Sequence, residues 1–183
     1  MVFHDALRAK PMDPSACLTP HELHTRYLDD VLRYVSSFIR PLADAEDVTM
    51  EVFHAAFKHV SRLRHSDDPR VWLLGIARRK VADSLRLRYR RKETSYEPIH
   101  GATVEMRSQI ETSTLVLQVL AELTQDQREA LVLKYSNGLS TVEVANVLNR
   151  SESAANSLLN RAREAFYAKG APLFLELPED EHV

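Results

Sequence analysis

The sequence predicts an all-α protein made of two small helical domains joined by a flexible linker. Helical periodicity runs through nearly all of the 183 residues, and no stretch shows the strict alternation of a half-buried strand. N-cap signals stand where helical patterns begin, at Thr19, Asp68 and Ser140. The periodicity lapses over residues 93–112, where a proline and a glycine interrupt it. These observations predict helices in two groups, one on each side of the lapse.

Three helices make up the first predicted domain. The first starts at Thr19–Glu22, a capping box in which the Thr oxygen and the Glu carboxylate each satisfy a free backbone N–H, and Pro41 marks its end. The second covers about residues 44–63 and the third about 69–92. The short connections predict one bundle-like unit. The expected inner stripes are Leu23, Tyr27, Val31, Tyr34 and Phe38 in the first helix, and Val48, Val52, Phe53, Ala56, Phe57 and Val60 in the second.

The second predicted domain follows a linker. Residues 93–112 carry four Glu and one Arg, and a connection of about 20 residues is long for the inside of a compact domain. A domain boundary is therefore expected there. Beyond it, Asn137-Gly138 and a capping box at Ser140 punctuate the sequence. Four helical patterns result, near residues 113–122, 125–136, 141–148 and 152–168.

The last two helices, joined by a tight turn at residues 149–151, have the pattern of a helix-turn-helix. The opposite face of the longer helix carries short polar side chains, flanked by Arg161 and Arg163, that suit the floor and phosphate walls of a major groove. An ordinary amphipathic hairpin with a solvated polar face fits this segment equally well. The expected inward residues are Ala155, Leu159, Ala162 and Phe166, and the outward ones are Ser153, Asn156, Ser157 and Asn160.

Charge is unevenly distributed along the chain. The formal net charge is −2, but residues 78–92 carry +7, which leaves −9 elsewhere. Arg is well suited to phosphate, so this segment predicts contact with a polyanion, whereas a solvated helix C-terminus is the alternative. Its single acid is Asp83. Its eight cations are Arg78, Arg79, Lys80, Arg86, Arg88, Arg90, Arg91 and Lys92.

Composition argues against several classes of protein. One cysteine builds neither a disulfide framework nor a cysteine-rich zinc site, and it favours the reducing cytoplasm. No apolar run is long enough for membrane insertion, and the first 18 residues lack the apolar core of a signal peptide. Four scattered glycines cannot build a P-loop or a dinucleotide fingerprint. Cys17, His21 and His24 lack a fourth ligand, so we expect neither a metal nor another cofactor.

Two sets of motifs together resemble the extracytoplasmic-function (ECF) group of bacterial sigma factors. Leu42–Val48, Glu51–Phe53 and Trp72–Arg78 look like conserved region 2 of that group. The segment Leu123–Phe166 is similar to its region 4. The motifs that carry the second likeness are Gln127–Ala130, Gly138–Ser140, Glu143–Ala145 and Arg161–Glu164.

The resemblance implies a non-catalytic initiation subunit that directs bacterial core RNA polymerase to promoter DNA. Region 2, here residues 19–92, would bind the polymerase clamp helices and open the minus 10 element. Region 4, here residues 113–170, would bind the flap tip and read the minus 35 element, and the linker would thread the polymerase channel towards the RNA exit. An anti-sigma factor or another regulator is a further possible partner. Residues 1–18 form an N-terminal extension, and the acidic tail 171–183 is either a frayed terminus or a regulatory segment.

The resemblance also assigns roles to three groups of side chains. An acidic helix face, which is otherwise an ordinary solvated face, would contact the polymerase through Asp44, Glu46, Asp47 and Glu51. The pocket for a flipped base and the following helix would contact the minus 10 element through Arg64, His65, Ser66, Arg70, Arg78, Arg79, Lys80 and Arg86. The minus 35 element would be read by Ser153, Asn156, Ser157, Asn160 and Arg161.

Three positions depart from the family pattern. Arg79 stands where the family usually has Asn, and Asn156 and Leu158 stand where basic residues are common. Region 4 should therefore bind phosphate less strongly, while Asn156 can pair with an adenine edge. Two rival functions follow from the residues alone. An autonomous helix-turn-helix repressor would have no use for the acidic face, and a small helical metal-dependent hydrolase would need a ligand set that is not visible.

Overall fold

The computed structural model describes residues 19–60, 63, 68–92 and 115–174. Throughout these residues the secondary structure is helical and no strand occurs, which confirms the predicted fold class. No helix in the described ranges is both long enough and apolar enough to cross a bilayer. The helices are α1 (Pro20–Ser36), α2 (Leu42–His59), α3 (Pro69–Lys92), α4 (115–121), α5 (Gln125–Leu131), α6 (Thr141–Leu148) and α7 (Glu152–Phe174).

Helices α1, α2 and α3 pack against one another as the predicted three-helix unit. The capping box forms at the start of α1, where the backbone N–H of Thr19 donates to Glu22 at 2.9 Å. Helix α3 begins at Pro69, and the Asp68 carboxylate accepts from the backbone N–H of Arg70 at 2.8 Å. The second helix is shorter than expected and ends at His59. The predicted stripes line the core, although Tyr27, Phe38, Phe57 and Val60 are only partly buried.

The sequence predicts one continuous helix over residues 125–136, but in the structure α5 ends at Leu131. After α5 the chain widens into a π-helical turn, Val132–Ser136, which Asn137 closes by donating its N–H to the Val132 carbonyl at 2.9 Å. Gly138 then takes a left-handed φ of 69° and turns the chain towards α6. The sequence pattern did not reveal this turn, because apolar spacing does not distinguish the two hydrogen-bond registers.

The last helix is longer than predicted, since α7 extends beyond residue 168 to Phe174. Gly170 and Pro172 therefore lie inside it. Both residues disfavour helix, but they stand near its C-terminal end, where few backbone hydrogen bonds remain to be lost. The expected tail 171–183 consequently begins within a helix.

The two helical units also touch each other. Helix α3 packs against α6, and α1 packs against the π-helical turn. Apolar residues of both units belong to one continuous buried cluster, which includes Tyr34, Leu74, Leu133 and Val144. The linker that joins the units, 93–112, lies outside the described residues. The sequence did not predict this contact.

Candidate nucleic-acid interface

The turn between α6 and α7 fixes the geometry of the helix-turn-helix. Ser140 caps α6 by accepting from the backbone N–H of Glu143, whose carboxylate accepts in return from the Ser140 N–H at 2.6 Å. Asn149 ends α6 in the left-handed conformation, with φ 53°. Ser151 then caps α7 by accepting from the N–H of Ala154 at 3.2 Å. Because caps hold both sides of this short turn, the angle between the helices is set locally.

Electrostatics support the cap of α6. The hydroxyl and the backbone N–H of Ser140 hold the pKa of the Glu143 carboxyl below its usual value. A carboxylate that accepts hydrogen bonds in its charged form is harder to protonate. The negative charge also lies at the N-terminus of α6, where the helix dipole favours it. The cap is therefore strongest while Glu143 is ionised.

The outer face of α7 is arranged as predicted. Ser153, Asn156, Ser157 and Asn160 are all exposed, as is Arg161. On the inner side Ala155, Leu159 and Ala162 are buried, while Phe166 is only partly buried.

Leu158, at a position where the family often has a basic residue, is 4% exposed and belongs to the core. In this chain position 158 therefore contributes to the packing of α7 and not to its outer face. Asn156, by contrast, is exposed, so its departure from the family pattern changes the outer face.

Two of the outer polar groups are engaged within α7. The Asn160 side-chain oxygen accepts from Arg163 at 2.6 Å, and Arg161 donates to the Ser157 carbonyl at 3.4 Å. Asn156 stands at the exposed centre of the face, one turn from the N-terminus of the helix. The N-terminal part of the second helix is where this motif contacts base edges.

The basic residues of α3 divide into paired and outward-facing groups. Lys80 donates to Glu51 of α2 at 3.2 Å, and Arg88 donates to Asp44 of the same helix. Arg86 lies 3.3 Å from Asp83 on its own helix. Arg79, Arg86 and Arg90 are exposed. The sequence prediction of a polyanionic partner considered only Asp83, the acid within the segment. In the fold, Asp44 and Glu51 of α2 also lie beside its basic residues.

Arg70 and Arg78 both contact the second helical unit. Arg70 binds the Asp30 carboxylate through Nε at 2.9 Å and Nη2 at 2.8 Å, and Nη2 also donates to the carbonyl of Asn137. Arg78 donates through Nε to the Glu129 carboxylate at 2.7 Å. The hydrogen bond and charge of Glu129 outweigh the effect of burial and raise the pKa of Arg78. The remaining members of the predicted minus 10 group, Arg64, His65 and Ser66, lie outside the described residues.

The acidic face of α2 also divides into two pairs. Asp44 and Glu51 turn towards α3 and form the ion pairs with Arg88 and Lys80. Glu46 and Asp47 are exposed. Glu51 is exposed as well, with 62% of its side chain accessible, so its charge is shared between Lys80 and solvent.

The sequence patterns did not identify Glu129 as the partner of Arg78, or Asp30 and Asn137 as the partners of Arg70. The side chain of Glu129 is 2% exposed, and its second oxygen accepts from Gln125 at 2.9 Å. Charged side chains are almost never fully buried unless they are paired. The only signal in the sequence was an acid placed directly before the apolar run Ala130–Leu133, a position that favours burial.

Comparison with known proteins gives a family match for each helical unit. The family described as Sigma-70 region 2 matches residues 23–91. The family described as Sigma-70, region 4 matches residues 113–166. The first range covers the three-helix unit, and the second covers the helix-turn-helix with the helices that support it.

Curated relatives and solved structures give the same picture. The ECF RNA polymerase sigma factor SigM of Bacillus subtilis is 30% identical over 161 residues, which are 84% of this chain and 98% of SigM. The ECF RNA polymerase sigma factor SigC of Mycobacterium tuberculosis is 35% identical over 146 residues, 78% of each chain. CnrH, solved with the cytosolic domain of CnrY, matches at 25% identity with a TM-score of 0.66, covering 86% of this chain and 89% of CnrH. RpoE from Bartonella quintana, solved with the anti-sigma factor NepR, shares the fold at 18% identity and the same TM-score, covering 86% of this chain and 98% of RpoE.

Proposed function

The chain belongs to the extracytoplasmic-function group of RNA polymerase sigma factors, and from that premise we propose how its two helical units divide the work of promoter recognition. A sigma factor directs core RNA polymerase to promoters. In our proposal residues 19–92 bind the polymerase and open the minus 10 element, and residues 113–170 read the minus 35 element. The chain contributes no catalytic group of its own. It works in the cytoplasm, where it meets polymerase and promoter DNA.

The observation that carries this proposal is the outer face of α7. It presents Ser153, Asn156 and Ser157 to solvent from the first turns of a helix whose opposite side packs on the core. An α-helix of this kind fits the major groove, where each base pair offers a distinct set of donors and acceptors. The caps on the preceding turn hold that helix rigid, so the polar face can keep its register on DNA.

For the minus 10 element we propose direct backbone contact by the outward cations of α3. Arg79 and Arg86 are exposed and lie on one helix. Arginine binds phosphate with a planar fork of donors, which suits contact with a DNA backbone. Arg70, Arg78 and Lys80 belong to the same proposed surface, but their present partners would have to be exchanged for phosphate. The loop residues Arg64, His65 and Ser66 complete the proposed surface.

For the polymerase contact we propose the acidic face of α2, with Glu46 and Asp47 as its exposed centre and Asp44 and Glu51 as its edge. Exposed charge of one sign steers a partner of opposite sign and fixes its register. Two structural neighbours were solved in complex with another protein, and in one of them that protein is an anti-sigma factor. An anti-sigma factor that competes with polymerase is accordingly a proposed partner of this chain as well.

Run-off transcription tests the proposal. Bacterial core polymerase is mixed with a library of promoter-bearing DNA, with and without this protein. We expect discrete transcripts only when the protein is present, and sequencing of the transcribed templates should reveal two conserved elements at a fixed separation. Transcription that is independent of the protein would overturn the sigma-factor assignment. Specific DNA binding by the protein alone, combined with a failure to support transcription, would instead identify the repressor.

A further inference from the structure

A pocket of about 730 Å³ lies between α4, the end of α5, the π-helical turn and α7. Its inner wall is aliphatic, because the buried side chains of Leu120, Leu131 and Val132 line it. Pockets that hold small ligands have volumes of about 300–1,000 Å³ and are lined mainly by apolar groups, with a few polar groups that fix the orientation of the ligand. The size and the lining of this pocket are therefore those of a ligand site.

Two exposed aromatic side chains stand at the mouth of the pocket. Tyr135 is 61% exposed and Tyr167 is 70% exposed, and both line the pocket. The π-helical turn contributes Tyr135 to the mouth and Val132 to the inner wall. Such turns occur frequently at functional sites, and exposed apolar surface marks places where a partner binds. A bound ligand would remove this aromatic surface from water, which favours binding.

Arg163 gives the pocket its charge. Among the described residues that line the pocket, it is the one with an ionised side chain, and it is exposed on α7. A guanidinium binds a carboxylate through two parallel N–H···O hydrogen bonds. An aliphatic wall with one arginine at the mouth therefore fits a molecule with an alkyl chain at one end and a carboxylate at the other.

We propose that this pocket binds an amphiphilic carboxylate, with the alkyl chain against the aliphatic wall and the carboxylate on Arg163. The Nη2 of Arg163 donates to the side-chain oxygen of Asn160 at 2.6 Å, and Asn160 lies on the outer face of α7. A carboxylate is a stronger acceptor than an amide oxygen, so the ligand withdraws the guanidinium from Asn160. The Asn160 side chain is then released to accept from a base edge. This consequence rests on the function proposed above, in which Asn160 reads the minus 35 element.

Calorimetric titration of the full-length protein with decanoate, below its micelle concentration, tests the site. Decanol has the same chain without the charge, and butyrate has the charge on a shorter chain. We expect decanoate to bind about tenfold tighter than decanol, because it gains a charge-assisted pair with Arg163. It should bind at least about a hundredfold tighter than butyrate, because more CH₂ groups are buried. Equal affinity for decanoate and either of the other two compounds would overturn the proposal.

The variant Arg163→Gln should weaken decanoate binding about tenfold and leave decanol binding unchanged. Lys169→Gln is the matched control. Lys169 is another exposed cation of α7, it lies 3.5 Å from Glu122, and it is not among the described residues that line the pocket. This control should bind decanoate like the parent. Equal weakening in both variants would show non-specific attraction between charges and would overturn the site.

The end of the chain is the rival occupant, because the apolar residues Leu175 and Leu177 follow α7 in the sequence. Leu175→Ser combined with Leu177→Ser separates the two cases. We expect this double variant to bind decanoate with the affinity of the parent. A gain of about tenfold or more would show that the chain's own end competes for the pocket, and that result would overturn the proposal.

Transcription measures the effect on Asn160. Holoenzyme transcribes a promoter library randomised over the minus 35 element, with and without decanoate. We expect decanoate to change the preference at one base position by about two- to tenfold. Arg163→Gln removes the same donor from Asn160 and should show that change without decanoate, whereas Lys169→Gln should keep the parental preference.

An unchanged preference, in the parent with decanoate or in Arg163→Gln, would overturn the release of Asn160. Decanoate binding is measured without DNA or polymerase. A parent protein that binds decanoate but fails to support transcription would therefore refute the proposed function and leave the ligand site in place.

Discussion

Arg70 and Asp30 form a bidentate ion pair, with Nε 2.9 Å from one carboxylate oxygen and Nη2 2.8 Å from the other. Arg70 lies in the first turn of α3 and Asp30 in the middle of α1, so the pair ties the start of one helix to the side of another. Both side chains are mostly buried, which limits screening by salt. Arg70 therefore has a structural role beside the DNA contact proposed for it.

Asp30→Asn should lower the free energy of unfolding by about 1–3 kcal/mol, because the partly buried guanidinium loses a charged bidentate partner. Chemical denaturation of the full chain, followed by circular dichroism, measures the change. Asp29→Asn is the matched control, since its side chain is exposed and one residue away. Equal stability of the two variants would show that the pair contributes nothing beyond an ordinary surface charge.

The exposed acids of α2 should govern binding to core polymerase. Glu46→Lys combined with Asp47→Lys is expected to abolish co-purification with core enzyme while leaving the circular dichroism spectrum unchanged, since both side chains point outward. Asp44 and Glu51 are less suitable targets, because lysine there would place like charges beside Arg88 and Lys80. Asp29→Lys controls for charge reversal elsewhere on the same unit. Retained binding by the double variant would remove the polymerase assignment from this face.

The outward cations of α3 should determine the salt dependence of promoter binding. Replacing Arg79 and Arg86 with Ala is expected to weaken binding by the holoenzyme on all promoters alike. The slope of log affinity against log salt should fall by roughly 0.9 for each lost duplex phosphate contact. Arg26→Ala, at an exposed position on α1, provides the control. A slope that does not change would assign Arg79 and Arg86 to an ordinary solvated face.

Acid should weaken the cap of α6 through Glu143. Its pKa in the folded chain is held below the usual value of 4.5 by Ser140. The folded state therefore favours the ionised carboxylate, and the stabilisation is fully present above the unfolded pKa and is lost as pH falls through the folded one. Glu143→Gln should be less stable than the parent near neutral pH, and the difference should shrink below about pH 4.

Urea unfolding of the parent and of Glu143→Gln at a series of pH values measures that difference. Glu164→Gln, which removes an exposed acid from α7, controls for the loss of one surface charge. A difference between parent and Glu143→Gln that is independent of pH would mean that packing, and not the ionised cap, accounts for the effect.

Local features of the fold were predictable, and contacts between distant segments were not. The caps at Thr19 and Ser140 were found because their partners lie three residues away and the hydrogen bonds depend on local backbone geometry. Glu129 was missed as the partner of Arg78, because 51 residues separate them. No periodicity along one helix specifies which acid of another helix will meet it.

The same distinction holds for the candidate site. The outer face of α7 followed from helical spacing, since Ala155, Leu159 and Ala162 had to face the core and so placed Asn156 outside. The basic segment of α3 was read from its own composition, and the acids that neutralise Arg88 and Lys80 come from α2. The net charge counted along residues 78–92 is therefore larger than the unpaired positive charge of this surface in the fold.

Specificity for the upstream promoter element should reside in Asn156. Its side chain is exposed in the second turn of α7, while its neighbours Ala155 and Leu158 are buried and hold the helix in place. An Asn amide donates and accepts at once, which matches the N7 and N6 edge of adenine, and such a bidentate contact discriminates by about 1–3 kcal/mol. Asn156→Ala should accordingly relax the preference at one base position and leave the others intact.

Arg161 provides the contrast within the same helix. It is exposed and carries a charge, so Arg161→Ala should weaken binding to all sequences more evenly. Each variant holoenzyme is used to transcribe a promoter library randomised over the minus 35 element, and the base preferences are read from the transcripts. Glu164→Gln serves as the control for an exposed change on α7 outside the proposed reading face. If Asn156→Ala keeps every base preference of the parent, Asn156 does not read the groove, and the readout is assigned to another side chain of the same face, Ser153, Ser157 or Asn160.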